Sequence, residues 1–328
     1  MRVPPRVTVT TGAVALCVLL AACASPLPEP DPEPQGAPPP AVVPAQVDRV
    51  LDDLADVLAE ADAEGDASIL RGRVEGPALT LRSAEYEVAD AADDDEGVVT
   101  VVPARAQTVI VPTTQEWPRT VMVVTEAPED LQPPLLLTLV QAEPRDPYRL
   151  WAWARLFPGV QMPATNQPEL GSEVTDAGDL VLDPEEVVQG YVDLLRENDE
   201  AEHWDLFEED PLREGIATTR RAFRSLVDEN GTLSQRYRPG EGAPQVIGTA
   251  DGGAIVVGTM ETITTITLED STLTVGAETA ALLGEETVSE SLAITWTSVL
   301  AFSVPPAGSE GLIEVLGAEH TATEVTGE

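Results

Sequence analysis

The chain has 328 residues, and its 58 acidic and 18 basic side chains give a formal net charge of −40 at pH 7. All the basic residues are arginine. A chain without lysine has no Walker A phosphate loop, no Schiff-base lysine and no kinase β3 lysine. Nucleic acid is not an expected partner, because phosphate backbones are bound by basic surfaces.

The N-terminus has the pattern of a bacterial signal peptide. Arg2 and Arg6 precede an apolar stretch at residues 12–20, which is shorter than the roughly 20 residues needed to span a bilayer. The stretch ends in Leu20-Ala21-Ala22-Cys23, which resembles the lipobox of bacterial lipoproteins. The resemblance implies cleavage after residue 22 and a lipid anchor on Cys23. The alternative is an ordinary secretory signal with an incidental cysteine.

A proline-rich acidic spacer follows at residues 23–44. Nine of residues 24–44 are proline, and Glu29, Asp31 and Glu33 alternate with them. Such a segment forms neither helix nor sheet, and as polyproline II it extends by about 3.1 Å per residue. The expected location is the outer, extracytoplasmic face of the cell membrane, with the folded part held away from the lipid.

The rest of the chain consists of two halves, each of which begins with helices. In the first half, apolar residues at helical spacing predict helices at residues 46–63 and 77–91. In the second half, Asp183 at the N-cap and Pro184 at the first helical position predict a helix start. A further helix is expected at residues 211–228.

Strands rich in Val, Ile and Thr follow the helices in each half. In the first half they are expected at residues 98–111, 119–124, 135–142 and 149–157. In the second half they are expected at residues 233–238, 245–249, 254–268, 271–275, 288–304 and 312–316. Helices followed by antiparallel strands predict an α+β fold of two tandem units, each with N-terminal helices packed on a curved antiparallel sheet.

The order of elements in each half is similar to the cone-shaped fold named after nuclear transport factor two, in which helices pack in the concave face of a curved sheet. The resulting boundaries are a signal peptide at 1–22, the lipidated cysteine and spacer at 23–44, a first α+β domain at 45–166, a linker at 167–182, a second α+β domain at 183–320 and a tail at 321–328.

Three segments resemble a known family. They lie at residues 76–86, 111–120 and 147–159, and include Arg82-Ser83-Ala84-Glu85-Tyr86 and Trp151-Ala152-Trp153. They look like segments of uncharacterised lipoproteins from high-GC Gram-positive (actinobacterial) bacteria, and the absence of lysine fits a high-GC genome. The family has no established activity, so the resemblance implies a location and an organisation but no catalytic residues.

The candidate binding residues lie on and beside the predicted strand at residues 149–157. In an extended strand Trp151, Trp153 and Arg155 share one face, and Trp117 and Arg119 have the same spacing. Together they could line a pocket that stacks a planar or sugar ligand and pairs with its anionic group. Alternatively, the aromatic rings fill the space between sheet and helices, and each arginine pairs with an acid.

A second arginine group lies on one face of the predicted helix at residues 211–228. It consists of Arg213, Arg220 and Arg224. It could bind an anion, but pairing with Glu208, Glu209 and Asp210 is the simpler interpretation. Of these acids, Glu209 has the i,i+4 spacing of a helical ion pair with Arg213.

No catalytic residue, metal site or cofactor site is predicted. Residues 60–66 alternate acids with glycine as in an EF-hand loop, but the twelfth position is Arg71, where calcium needs a glutamate. The expected function is a non-enzymatic binding or scaffolding role in the cell envelope, with an envelope protein as the possible partner. The alternatives are a small-molecule carrier that uses the Trp/Arg pocket and a hydrolase with two carboxylates facing across a cleft.

Overall fold

The computed structural model of the protein describes residues 38–92, 98–127, 132–173, 178–227 and 231–328. The signal peptide and the proposed lipidation site, Cys23, lie outside the described residues. Residues 38–328 form one compact unit. None of the described helices is long and apolar enough to cross a membrane.

Four helices confirm the helices predicted from apolar spacing, and a short fifth one was not predicted. Their bounds are Pro44–Glu64 (α1), Gly76–Ala91 (α2), Pro184–Glu197 (α3), Pro211–Val227 (α4) and Ala277–Leu283 (α5). Single 3₁₀ turns lie at Ile69–Gly72, Asn198–Glu200 and Trp204–Leu206. In α1 the apolar positions recur every three or four residues, so Val47, Leu51, Leu54 and Leu58 are all buried.

Thirteen strands are present in the described residues. The first half contributes Ala106–Ile110 (β1), Pro112–Thr113 (β2), Arg119–Thr125 (β3), Leu135–Gln141 (β4) and Arg149–Leu156 (β5), and Ser172–Glu173 (β6) follows. The second half contributes Gly231–Pro239 (β7), Gln245–Gly248 (β8), Ala254–Leu268 (β9), Leu273–Thr274 (β10), Thr287–Val288 (β11), Ser291–Val304 (β12) and Glu314–Gly327 (β13).

Nine of these strands form one antiparallel sheet that runs through both halves. Its order is β1-β3-β4-β5-β13-β12-β9-β7, with β8 also paired to β9. Each half therefore supplies a meander in chain order, and the two meanders meet at their last strands. The pairing at this seam is short, because only Leu156 with Gly317 and Arg155 with Ala318 are in register.

The apolar core also draws on both halves. The largest cluster lies under α1 and α2 and includes Ile255, Val299 and Leu316 from the second half. A second cluster packs α3 against strands of the second half, through Tyr191 and Phe302. The structure is thus α+β, as expected, and is built on one shared sheet. The two tandem units resembling the nuclear transport factor two fold stay a prediction.

Three boundaries differ from those expected. Strand β13 runs to Gly327, so residues 321–327, which were assigned to a tail, pair with β12. In the expected linker at 167–182, Ser172–Glu173 (β6) pairs with β2. At the end of the expected spacer, Val42 is buried and Ala41 N donates to Pro112 O at 2.8 Å.

Candidate functional site

The predicted Trp/Arg strand, β5, does not present its side chains on one face. Leu139 opposes Leu150, whereas Thr138 opposes Ala152, so the register shifts by one residue at Trp151. A β-bulge of this kind interrupts the alternation of faces on which the prediction depended. Trp151 and Trp153 therefore do not form one ligand-facing stripe, and that part of the prediction is corrected.

Trp153 belongs to the core. It is completely buried, and the guanidinium carbon of Arg82 lies 5.4 Å from its ring centroid. Trp151 instead lines a recess of about 280 Å³ beside the β7–β8 connection. Arg155 Nη1 donates to the carbonyl of Pro133 at 3.3 Å. Trp151 is therefore separated from Trp153, whereas Trp153 and Arg155 both lie beside Glu319 on β13.

A buried ionic cluster lies beneath Trp153. Arg82 contacts Glu85 at 3.3 Å and Asp62 at 3.5 Å. Burial raises the pKa of Glu85, and burial also raises the pKa of Glu319 on β13. Neither of these two carboxyls lines either of the two recesses described below.

A recess lies between α3, the 3₁₀ turns after it, α4 and β7, and is called here the α4 cavity. Its volume of about 790 Å³ lies within the range of small-molecule sites. Asp210 fixes the two helices that form it. Its Oδ1 accepts from Arg213 N at 3.0 Å, which caps the start of α4, and from the Tyr191 hydroxyl of α3 at 2.9 Å.

One side of the α4 cavity is apolar. Leu194, Phe207, Ile216 and Tyr237 are buried there. At the mouth, Trp204 is 51% exposed and Leu312 is 42% exposed. These large apolar side chains at the rim are in contact with water, and a molecule bound in the cavity would cover them.

The other side carries four arginines of α4, namely Arg213, Arg220, Arg221 and Arg224. Arg213 Nε pairs with Asp210 Oδ2 at 2.8 Å. Among the described residues the other three make no salt bridge, and only Arg221 makes a side-chain hydrogen bond, to Thr218 Oγ1 at 2.9 Å. Three acids, Asp199, Asp205 and Glu209, line the same cavity, yet none of the described salt bridges joins them to these three arginines.

Among the described residues, compensation by a neighbouring acid is confirmed for Arg213 alone of these four arginines, and its partner is one of the three acids that the sequence suggested. Helix α4 begins at Pro211, so Glu209 lies outside the helix and the i,i+4 argument does not apply to it. The partner is Asp210. The signal that could have revealed the cavity was the apolar Ile216 within the arginine stripe, since a solvated charged face has no such residue.

A second recess, of about 490 Å³, is lined by Trp117 and Arg119 together with three further arginines, Arg49, Arg73 and Arg145. It is called here the Trp117 recess. The guanidinium carbon of Arg119 lies 3.9 Å from the Trp117 ring centroid. The structure thus brings together these two predicted site residues but keeps Trp151, Trp153 and Arg155 away from them.

Comparisons with known proteins give a family but no function. No group of three or more His, Cys or acidic side chains within the described ranges is arranged to hold a metal ion. No curated protein and no solved structure matches the chain significantly. A family model described as a domain of unknown function, DUF8094, matches residues 38–327, which include both recesses and all thirteen strands. Because this match covers most of the sequence, the chain belongs to the DUF8094 family.

Proposed function

We propose that the protein is a membrane-anchored extracytoplasmic lipoprotein with a non-enzymatic binding role, and that its folded part binds an amphipathic anion in the α4 cavity. The observation that carries the proposal is the placement of Arg220, Arg221 and Arg224, without carboxylate partners, opposite an apolar wall. A guanidinium group pairs geometrically with a carboxylate or phosphate. The apolar wall is suited to an alkyl or aryl body.

The binding proposal is tested with two surfactants of equal length and opposite charge. The folded part, residues 38–328, is titrated with dodecanoate and with dodecyltrimethylammonium below their micelle concentrations, in a calorimeter. Dodecanoate is expected to bind, and the cation to bind at least about tenfold more weakly, because a charged hydrogen bond contributes about 1.5–3 kcal/mol.

The matched variants separate the cavity from overall charge. The double substitution Arg220→Gln/Arg224→Gln is expected to weaken dodecanoate binding about tenfold or more. Arg236→Gln, an exposed β7 arginine outside the cavity, removes a positive charge nearby and is expected to leave binding unchanged. Equal affinity for the two surfactants, or equal losses in both variants, would contradict the proposal.

The membrane anchor is a separate proposal, supported by the apolar segment, the lipobox-like Leu20-Ala21-Ala22-Cys23 and the acidic spacer. In a bacterial host, the full chain is expected in the membrane fraction and Cys23→Ala in the soluble fraction or as an uncleaved precursor. If Cys23→Ala fractionates and migrates like the unmodified chain, the anchor proposal is wrong, and the proposal for the α4 cavity is unaffected.

A scaffolding role is the second candidate, and the exposed Trp204 and Leu312 at the cavity mouth favour it. A protein partner that docks there would be displaced by dodecanoate and would be lost with Trp204→Ser. A partner that is retained under both conditions binds elsewhere.

We further propose that the two halves are tandem units of the nuclear transport factor two type. Each half forms a parallel bridge from a residue a few positions before its second helix to a residue at or next to the start of its last strand. These bridges join Val74 to Leu150 and Phe207 to Ile313. The hydrogen bonds also correspond, since Glu75 N donates to Leu150 O and Glu208 N to Ile313 O, both at 2.9 Å. Superposition of the halves of an experimental structure tests this proposal.

A further inference from the structure

We infer that the Trp117 recess is a second, separate binding site, and that its ligand is a planar anion: a flat aromatic group that carries a carboxylate or a phosphate. The recess lies at the start of α1, where β3 begins and where the β4–β5 connection turns. None of its lining residues belongs to the α4 cavity. The inference therefore stands independently of the proposed function.

The Trp117 ring is held in place but remains accessible. Its Nε1 donates to Gln141 Oε1 at 3.1 Å, and Gln141 Nε2 donates in turn to the Asp146 carbonyl at 2.7 Å. The side chain is nevertheless 37% exposed. A fixed aromatic ring with open surface offers a stacking platform at little cost in conformational entropy.

Arg119 is positioned on this platform with its charge uncompensated. In addition to the 3.9 Å contact with the ring, its Nε donates to Glu116 O at 3.3 Å and its Nη1 to Ala41 O at 3.4 Å. None of the described residues supplies a carboxylate to it. Ring and carbonyls orient a guanidinium without neutralising it, so its remaining hydrogen-bonding capacity is free for an anion.

The surrounding charges add to the attraction for an anion. Arg73 is already paired with Asp53 at 2.6 Å. Arg49 bonds only a backbone carbonyl, and Arg145 pairs with no carboxylate within the described ranges. With Arg119, the recess therefore has three arginines without a carboxylate partner and one acid, Asp146, that lies near Arg149.

Two further features mark the recess as a built site. Arg145 has a φ of +76°, a left-handed conformation that is unfavourable for a side chain of this size. The Tyr148 side chain, which lines the recess, is only 8% exposed, and its hydroxyl has no hydrogen-bond partner within the described part of the chain. A buried hydroxyl without a partner is unfavourable, so the fold leaves a polar group unsatisfied beside the recess.

The shape of the recess favours a flat ligand over an alkyl chain. Arg119 and the exposed Trp117 ring present planar groups, and the recess lacks the continuous apolar wall that includes the aliphatic Leu194 and Ile216 in the α4 cavity. A planar ligand gains stacking energy on these groups, whereas an aliphatic ligand of similar volume gains only the burial of its apolar surface.

The test uses four small probes in calorimetric titrations of residues 38–328. The planar anions are 1-naphthoate and 1-naphthyl phosphate, which also distinguish a carboxylate site from a phosphate site. The comparison compounds are the planar cation 1-naphthylmethylammonium and the non-planar anion cyclohexanecarboxylate. At least one planar anion is expected to bind about tenfold or more tightly than either comparison compound.

Variants assign that binding to the recess. Arg119→Gln and Arg145→Gln are each expected to weaken it about tenfold, and Trp117→Leu by about fivefold. Arg71→Gln, an exposed arginine of the same half outside the recess, is the matched control and should have no effect. Arg145 is exposed, so its substitution tests the site even if Arg119→Gln alters folding.

Three results would overturn the inference. One is equal binding of cyclohexanecarboxylate and the planar anions. Another is planar-anion binding that survives both Arg119→Gln and Arg145→Gln. The third is loss of that binding in Arg220→Gln/Arg224→Gln, since it would place the probe in the α4 cavity. If dodecanoate fails to bind but a planar anion binds with the expected losses, the proposed function fails and the second site stands.

Discussion

At the scale of single residues, Asp210 makes more of the contacts that hold the α4 cavity together than any of the cavity's arginines does. Its side chain is 3% exposed, and its carboxylate caps α4, pairs with Arg213 and accepts a hydrogen bond from the buried Tyr191 hydroxyl. Burial, with the nearby Asp210 charge, raises the pKa of Tyr191 well above its usual range, so that hydroxyl stays a donor. The geometry of the cavity therefore depends on one acid among the several that precede α4.

Asp210→Ala is expected to lower the free energy of unfolding by about 3 kcal/mol. Loss of a helix cap costs about 1 kcal/mol, and a buried hydroxyl left without a partner costs about 1–3 kcal/mol. Urea unfolding at pH 7 measures the change. Asp210→Asn keeps an acceptor oxygen and should cost less than Asp210→Ala. Equal losses would mean that the charge, rather than the hydrogen bonds, is what matters at this position.

His320 is expected to make the protein sensitive to mild acid. Its Nδ1 lies 2.7 Å from Ser298 Oγ, its ring stacks on Trp296 at 4.8 Å, and burial lowers its pKa to about 4. The unfolded chain takes up the proton near pH 6.5, before the folded one does. The stability that this neutral histidine contributes is present above pH 6.5 and is lost as the pH falls towards 4, by about 3 kcal/mol.

The comparison with His320→Gln isolates this contribution. Both proteins share Glu85 and Glu319, whose raised pKa values act in the opposite direction, because a proton bound more tightly in the folded state favours folding as the pH falls. The gap in unfolding free energy between the two proteins should narrow from pH 7 to pH 4.5. A constant gap would show that His320 is not titrating as a buried neutral ring.

Residue spacing could predict which side chains lie close together along a strand. It could not predict which residues of other elements they contact. Trp117 and Arg119 are two positions apart and share a recess, as their spacing suggested. Trp153 was predicted by the same reasoning and lies in the core, because the bulge at Trp151 and the helix residue Arg82 determine its surroundings. Neither of those features has a local signature in β5.

At the scale of elements, the seam between β5 and β13 has fewer paired residues than any other strand pairing of the nine-stranded sheet. A Cβ atom on Gly317 would lie 2.4 Å from the Arg155 carbonyl oxygen and 2.7 Å from Leu156 Cα. Both are backbone atoms, so the strands would have to separate. This glycine therefore lets the meanders of the two halves approach closely enough to pair.

Gly317→Ala is expected to destabilise the fold by about 2–3 kcal/mol, as overpacking at a buried site does. Gly215→Ala is the matched control, because Gly215 lies in α4 and a Cβ added there would point into open space. There alanine should stabilise by about 0.5–1 kcal/mol through helix propensity. Urea midpoints of the two variants should move in opposite directions. If Gly317→Ala leaves the midpoint unchanged, the seam is not a tight contact.

Helix positions were predictable because their signals are local, whereas strand lengths were not. Pro184 marks the start of α3 as expected, although the Asp183 carboxylate accepts from Gly178 N at 2.7 Å rather than from the helix. Strand β13 was expected to end at Leu316 and ends at Gly327. Its last residues are polar, so they show no apolar alternation. They are ordered because β12 beside them supplies the hydrogen-bonding partner.

At the scale of the whole molecule, the arrangement of the two halves could not be predicted from the sequence either, because it depends on pairing between strands that are far apart along the chain. The short seam at Gly317 decides that the strands form one sheet, and it involves residues about 160 positions apart. The grouping of the arginines into recesses, by contrast, is visible only in the folded structure. Of the 16 arginines in residues 38–328, eight line the α4 cavity or the Trp117 recess. Half of these arginines thus lie in two recesses, although the chain as a whole is strongly acidic.

The acidic remainder of the surface predicts a salt effect on the whole fold. With a net charge of −40, carboxylates repel one another more in the folded chain than in the expanded one. Raising the salt from about 0.01 M to 0.15 M shortens the screening length from about 30 Å to about 8 Å. The described ion pairs that salt would weaken are mostly at the surface, where each contributes about 0–1 kcal/mol.

The melting temperature is therefore expected to rise with salt, by about 3–6 °C if screening removes about 1–2 kcal/mol of repulsion. Scanning calorimetry in sodium chloride measures the rise. Choline chloride at the same ionic strength should give the same curve, because screening depends on charge and concentration and not on the cation. A larger rise in sodium would indicate a specific cation site, and a fall in both salts would mean that ion pairs outweigh the repulsion.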